Sequence, residues 1–261
     1  MTLFKKTLLS IPVMSLFLNI QLTHAQEALP AFDTKTNTFN IYEYDIRPWS
    51  FHDENGKAIG PVPEIQRWII EHAGYTYNSV GIVPFARKLR YMETGNEYFA
   101  CIWVRKEMEA YIIKGPIAGY VTTVAVGLKG NDFNRWEDLH GKKIAVIRGS
   151  GGSEKLLNDP LVEKYEVRDL SQAIKMLANK RIDGVTESFF NIIFEMNAQG
   201  FSKTILGQSI EIQKNPFHMA VSRKANIDEV TKNIHRAAEE MFRLKMGEKI
   251  INDFINDFTK E

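Results

Sequence analysis

Apolar positions along this chain fall into two alternating rhythms. The run over 144–147, Ile-Ala-Val-Ile, is short and unbroken, as a buried strand requires. Residues 39–44 alternate enough to form a first strand, and 98–104 form another. Between them Asp53, Asn55 and Gly56 mark a turn, the tip of a hairpin. Helical spacing appears over 63–72 and 84–93, each with a proline in its first turn and a glycine beyond its end, Gly74 and Gly95. Further helices are expected over 170–180, 188–198 and 227–258, the last broken at Gly247. Residues 26–38 read as a polar leader. Two extended stretches, 120–128 and 217–222, suit either ordinary strands of one sheet or two crossings between lobes. Strands alternate with helices throughout, so the fold class is α/β.

The segment after the 144–147 strand is the first candidate for chemistry. Arg148 is followed by Gly149, Ser150, Gly151, Gly152 and Ser153, a run that lets the backbone turn sharply and offers Ser150 or Ser153 as a helix cap. A helix start carries unpaired N–H groups and partial positive charge, so this turn suits a carboxylate or another anion. An ordinary βα turn with no ligand fits the same residues. Glu154 stands where a dinucleotide fingerprint needs its third glycine, and no G-K-[ST] follows at phosphate-loop spacing. Both nucleotide fingerprints are thus absent, which argues against phosphate at this turn and for a smaller ligand.

Composition narrows the class. Residues 1–25 pair Lys5 and Lys6 with an apolar stretch and end Thr23-His24-Ala25, the pattern of a cleavable signal peptide with cleavage near Ala25/Gln26. Pro12, Asn19 and Gln21 interrupt that stretch, which makes it a poor membrane anchor. Loss of those residues takes the formal charge from +1 to −1. A near-neutral chain without a basic stripe has no footprint for nucleic acid. Cys101 is the sole cysteine, so an exported chain is held by its core and not by an internal disulfide; its apolar neighbours mark it as a buried thiol.

Five segments, in order, resemble the family 3 extracellular solute-binding proteins, the periplasmic receptors of polar amino acid ABC transporters. They are W-S-F-H-D-E-N-G-K-A-I-G (49–60), V-P-F-A-R-K-L-R-Y-M-E-T-G (83–95), L-H-G-K-K-I-A-V-I-R-G-S-G-G-S-E (139–154), A-I-K-M-L-A-N-K-R-I-D-G-V (173–185) and N-P-F-H-M-A-V-S-R-K (215–224). The resemblance implies a two-lobed, periplasmic-binding-protein-like (type II) α/β fold with two crossing hinge strands and a ligand in the cleft. Lobe one would comprise 34–121 plus 219–261, and lobe two 122–218. It further implies a periplasmic monomer that takes a small, zwitterionic or carboxylated solute, needs no cofactor and works with an inner-membrane ABC permease.

The departures from the family pattern bear on the ligand. Met108 falls where relatives place the arginine that clamps a ligand carboxylate; Arg105 is nearby and either replaces the clamp or is simply exposed. Ile46 replaces the stacking aromatic of the relatives, and Trp49 sits at a packing position. Trp103 is the better aromatic candidate, a buried strand residue being the alternative. In lobe two the resemblance points to Glu187 as partner of a ligand ammonium, or else as a carboxylate stabilised at a helix start. Arg148 faces either cleft or solvent, and Asp45, where the first strand gives way to its loop, completes the candidate set.

Enzymatic motifs are missing. There is no G-x-S-x-G, H-E-x-x-H or C-x-x-C, and the histidines are scattered without metal-ligand spacing. Two other classes stay open: a dehydratase-like periplasmic enzyme using Glu187 for proton transfer, and a sensory or partner-binding protein without solute transport.

Overall fold

The computed structural model describes residues 29–148 and 153–257. The expected signal peptide and the expected anion loop of Gly149, Ser150, Gly151 and Gly152 lie outside the described residues.

The chain opens with β1 (Phe32–Asp33) and β2 (Thr38–Tyr44), then the small hairpin of β3 (Phe51–His52) and β4 (Ala58–Ile59). α1 (Pro61–His72), β5 (Thr76–Val83), α2 (Phe85–Thr94), β6 (Phe99–Ile102) and β7 (Ile112–Ile113) follow. The long strand β8 (Ile117–Leu128) leads into β9 (Lys143–Ile147), α3 (Glu154–Asn158), β10 (Glu163–Val167), α4 (Leu170–Ala178), β11 (Gly184–Ser188) and α5 (Phe189–Ala198). The equally extended β12 (Leu206–Ser222) returns, and α6 (Asp228–Arg243) and α7 (Met246–Asp257) close the described chain.

Among the described residues, β1, β2 and β5 form one sheet, in which β2 and β5 run parallel. A larger sheet has the order β10-β9-β11-β8-β12-β6, with β7 also on β12. β8 and β12 pair antiparallel from Leu206 with Leu128 to His218 with Ile117. This ladder joins the two lobes. At one end of the ladder Ala118, Val121, Phe217 and Met219 pack into the larger core with α1, α6 and β6. At the other end Val124, Val126 and Leu206 enter a second core with α4 and α5. The chain is thus the two-lobed α/β fold with two crossing strands that the resemblance implies.

Local chemistry explains the helices. α1 buries Val62, Ile65, Ile69 and Ile70, the three-and-four spacing of one helical face, and has Pro61 and Pro63 in its first turn. Gly95 ends α2 in the left-handed conformation at φ 83°. The break in the last helical stretch falls at Lys245, whose φ is 54°, and not at Gly247. Gly247 lies inside α7 because a Cβ there would sit 2.6 Å from the Ala118 carbonyl oxygen, so it is a packing glycine. The expected polar leader is also shorter than it reads: Phe32 lies in β1 and stacks on Phe39 at 4.4 Å.

Lobe one encloses a polar network. Glu43, Gln66, Lys88 and Glu97 are all buried. Gln66 Nε2 donates to both Glu43 oxygens at 2.8 and 2.7 Å, and the Tyr77 hydroxyl donates to Glu43 as well. Lys88 Nζ lies 3.3 Å from Glu97 and donates to the Tyr42 carbonyl at 2.7 Å, while the Tyr42 N–H donates to Glu97 at 3.0 Å. Gln66 Oε1 accepts from the N–H of Cys101, itself a buried thiol, at 2.8 Å. These bonds tie α1, α2, β2 and β6 into one body.

Candidate functional site: the cleft between the lobes

A cleft of about 750 Å³ lies over the β8–β12 ladder. Its floor comes from the ladder itself, through Val121, Thr123, Ile212, Gln213 and Asn215. Gln213 Nε2 donates to Asn215 Oδ1 at 2.7 Å, which holds one polar pair on that floor.

Lobe one contributes Trp49, Trp103 and Arg105. Trp49 is fixed by its backbone: its N–H donates to the Ile46 carbonyl at 2.7 Å and its carbonyl accepts from Val62 at 3.0 Å. Gly60, at φ 124°, permits that close approach, since a Cβ there would be 2.4 Å from the Trp49 oxygen. Trp49 is a core residue at 4 % exposure and also an edge of the cleft. Trp103 follows β6 and meets Trp49 nearly edge-on, with ring centroids 5.9 Å apart. Arg105 is exposed and lies 2.9 Å from Glu107. Met108, expected at the clamp position that the resemblance implies, is buried in the larger core and is not among the residues lining the cleft.

Lobe two contributes Arg148, Ser153, Glu187 and Asn191. Arg148 is exposed and pairs with Glu166 at 3.2 Å. Ser153 is buried at the N-cap of α3, but its side chain makes no capping bond, and α3 spans only five residues. Glu187 lies near the end of β11, opposite Val124 of β8. Its Oε1 accepts from the Ser188 N–H at 2.7 Å and from Asn191 Nδ2 at 3.3 Å. Ser188 caps α5 by accepting from the Asn191 N–H at 3.1 Å, which fixes Asn191 beside the carboxylate. Burial raises the Glu187 pKa above the ordinary carboxylate value; only the Ser188 N–H and the Asn191 amide oppose it. Among the described residues, no cation is among the groups acting on this carboxylate.

The lobes meet beside that carboxylate. Trp49 Nε1 donates to Asn191 Oδ1 at 2.8 Å, and the Trp49 ring packs edge-on against Phe190 at 5.3 Å. Asn191 therefore touches Glu187 with its amide nitrogen and the opposite lobe with its oxygen. The sequence reading missed Asn191, whose only local signal is its place three residues after a capping serine. Of the expected site residues, the structure brings Trp103, Arg105, Arg148, Ser153 and Glu187 to one cleft. Asp45 does not join them: it is exposed, and its backbone N–H is bonded to the Val83 carbonyl at 3.0 Å.

Known proteins share this architecture. The second substrate-binding domain of Lactococcus lactis GlnP, in an open conformation, superposes with a TM-score of 0.68 at 15 % identity, over 85 % of this chain and 96 % of that one. The unliganded L-cystine solute receptor of Neisseria gonorrhoeae gives 0.68 at 17 % identity, over 87 % and 97 %. The fold is that of the periplasmic solute-binding proteins. By sequence, a curated protein described as probable amino-acid-binding protein YxeM of Bacillus subtilis (strain 168) is 25 % identical over 156 residues, 56 % of this chain. That match spans 58 % of the relative's length. No protein-family model matches the chain.

Proposed function

We propose that this protein is a solute receptor that captures a small polar molecule with a cationic nitrogen, of amino-acid size, by closing two lobes over it. The observation that carries this reading is Glu187, a half-buried carboxylate facing the cleft with two hydrogen bonds and, among the described residues, no cation acting on it. A carboxylate drawn out of water needs a positive partner or gains a proton, and a ligand that brings the charge satisfies it only when bound. Trp103 and Trp49 supply an aromatic wall, and Arg105 and Arg148 stand where they can close over a carboxyl or other polar end of the ligand.

In this reading lobe one comprises 34–121 plus 219–261, extended to take in β1, and lobe two 122–218. The chain crosses between them in β8 and β12, which act as the hinge. Export through the 1–25 leader and delivery to an inner-membrane ABC permease complete the proposal; the amino-acid-binding description of the Bacillus subtilis relative supports its solute-capture part. Catalysis has less support. The ionisable groups lining the cleft among the described residues are Arg105, Arg148, Glu166 and Glu187, and none pairs with Glu187 as a second proton-transfer group.

The test is a thermal-shift screen of the purified protein against amino acids, amines and small organic acids. A ligand at about 100 times its dissociation constant adds about 2.7 kcal/mol of stability. At least one nitrogen-cationic solute binds with 1:1 stoichiometry, and Glu187→Gln loses the response. A panel without any binder rejects the receptor reading.

A further inference from the structure

We infer that the chain carries a second binding site, apart from the cleft, for a multivalent phosphate-bearing anion. It is a pocket of about 690 Å³ beside β9, β10 and α4, and Lys143, Arg168, Lys175 and Arg181 line it. Among the described residues no aspartate or glutamate is on that lining.

The four cations come from separate places in the chain, and the fold gathers them. Lys143 opens β9, and β10, paired parallel to it, sets Tyr165 close by: Lys143 Nζ is 5.9 Å from the Tyr165 ring centroid. Arg168 stands just past the end of β10, and Lys175 lies in the last turn of α4. The chain then folds back, with the Arg181 N–H donating to the Met176 carbonyl at 2.9 Å, which brings Arg181 to the same pocket. Tyr165 and Glu166 are successive residues of β10 and turn to opposite faces of the sheet. Tyr165 lines this pocket and Glu166 lines the cleft, so the two sites are separate and share no lining residue.

The chain answers these charges only in part. Lys143 has Glu163 at 3.4 Å and Arg168 has Asp169 at 2.7 Å, but both pairs stand in solvent, where such contacts contribute little and give way to another anion. Asp169 is also engaged as the cap of α4, accepting from the Gln172 N–H at 2.8 Å. Among the described residues Lys175 and Arg181 enter no ion pair, and Lys175 acts on Asp169 only over a longer distance. Without residues 1–25 the formal charge is −1, so this concentration of cations is not the average of a basic chain.

Like charges held together repel, and a multivalent anion removes that repulsion when it binds. Guanidinium forks match phosphate oxygens with two parallel bonds, and the lysines add point charges to them. Gln172 accepts from the Arg168 N–H through Oε1 at 3.0 Å and keeps its amide nitrogen as a further donor. The volume is that of a small-molecule site and not of one oxyanion, so two or more phosphate groups suit it. They come either from a free polyphosphate or organic phosphate, or from the headgroups of an anionic membrane.

The experiment is isothermal titration of the purified protein with pyrophosphate and with inorganic phosphate, at low ionic strength and without divalent cations. Beside it runs co-sedimentation with phosphatidylcholine vesicles that do or do not contain phosphatidylglycerol. Pyrophosphate is expected to bind 1:1, about ten-fold or more tightly than phosphate, and Lys175→Gln/Arg181→Gln weakens it about ten-fold with an unchanged circular dichroism spectrum. Lys232→Gln/Lys249→Gln, which removes the same charge from α6 and α7, leaves the affinity within about two-fold. Vesicle binding that needs phosphatidylglycerol and is lost in Lys175→Gln/Arg181→Gln, without pyrophosphate binding, supports the site and names headgroups as the source; the converse names a free phosphate. Failure of both probes overturns the inference. So does binding that ignores Lys175→Gln/Arg181→Gln, or that falls equally in the two double variants.

Discussion

Lobe one and the cleft each keep carboxylates away from water, and they treat them in opposite ways. Inside lobe one, Glu97 has Lys88 at 3.3 Å and the Tyr42 N–H at 3.0 Å, and Glu43 has Gln66 and Tyr77. In the cleft, Glu187 has a backbone N–H and one amide, with no cation among the described residues that act on it. Where a buried charge serves the fold, this chain supplies its partner from within. Where a partner is withheld, a ligand could provide one, and it is on this ground that Glu187 is proposed as a binding group.

The largest break in this comparison comes from removing the internal cation. Lys88→Met leaves Glu97 buried without an opposite charge and is expected to cost about 3–5 kcal/mol, read as a lower urea midpoint. A cost below about 1 kcal/mol would mean that the network contributes no more than a surface pair.

Next is pH. Burial raises the pKa of Glu97 to about 7 and that of Glu43 in the same direction. A carboxyl whose folded pKa lies above its unfolded value binds its proton more tightly when folded. The stability it confers is complete below the ordinary value of 4.5 and is lost as the pH rises through about 7. The melting temperature is therefore expected to fall between those values, and Glu97→Gln flattens the decline.

These features were legible to different degrees. Prolines at helix starts, glycines beyond helix ends and the hairpin tip were readable because each fixes backbone geometry locally. Cys101 was readable from its apolar neighbours, and it is buried. β5 escaped notice because it is an edge strand whose sequence, Thr-Tyr-Asn-Ser-Val-Gly-Ile-Val, is mostly accessible and needs no apolar alternation. The break before α7 was misplaced because glycine serves both as a stop and as a close-packing residue, and only the nearby Ala118 carbonyl tells which. Asn191 was invisible for a plainer reason: Trp49, its partner across the cleft, is 142 residues away.

Smaller effects sharpen the cleft side of the comparison. Trp49→Phe keeps an aromatic ring but removes the donor to Asn191 and part of a buried indole, and is expected to cost about 1 kcal/mol for the bond plus the cost of the space left by the smaller ring, read in thermal unfolding. It also frees the Asn191 amide that steadies Glu187, so ligand affinity falls along with stability. Loss of stability with unchanged affinity would separate the lobe contact from the binding site.

The smallest expected change in stability is the most direct test. Glutamine at position 187 retains the acceptor for Ser188 and Asn191 but removes the uncompensated charge. Urea unfolding of wild type and Glu187→Gln should be compared at pH 8 after ligand has been stripped by unfolding and refolding. The account predicts that Glu187→Gln is more stable by about 1 kcal/mol, as when a functional strain is relieved, and has lost its response to ligand. A Glu187→Gln protein less stable than wild type would show that this carboxylate serves the fold, and would contradict the assignment of Glu187 to the ligand.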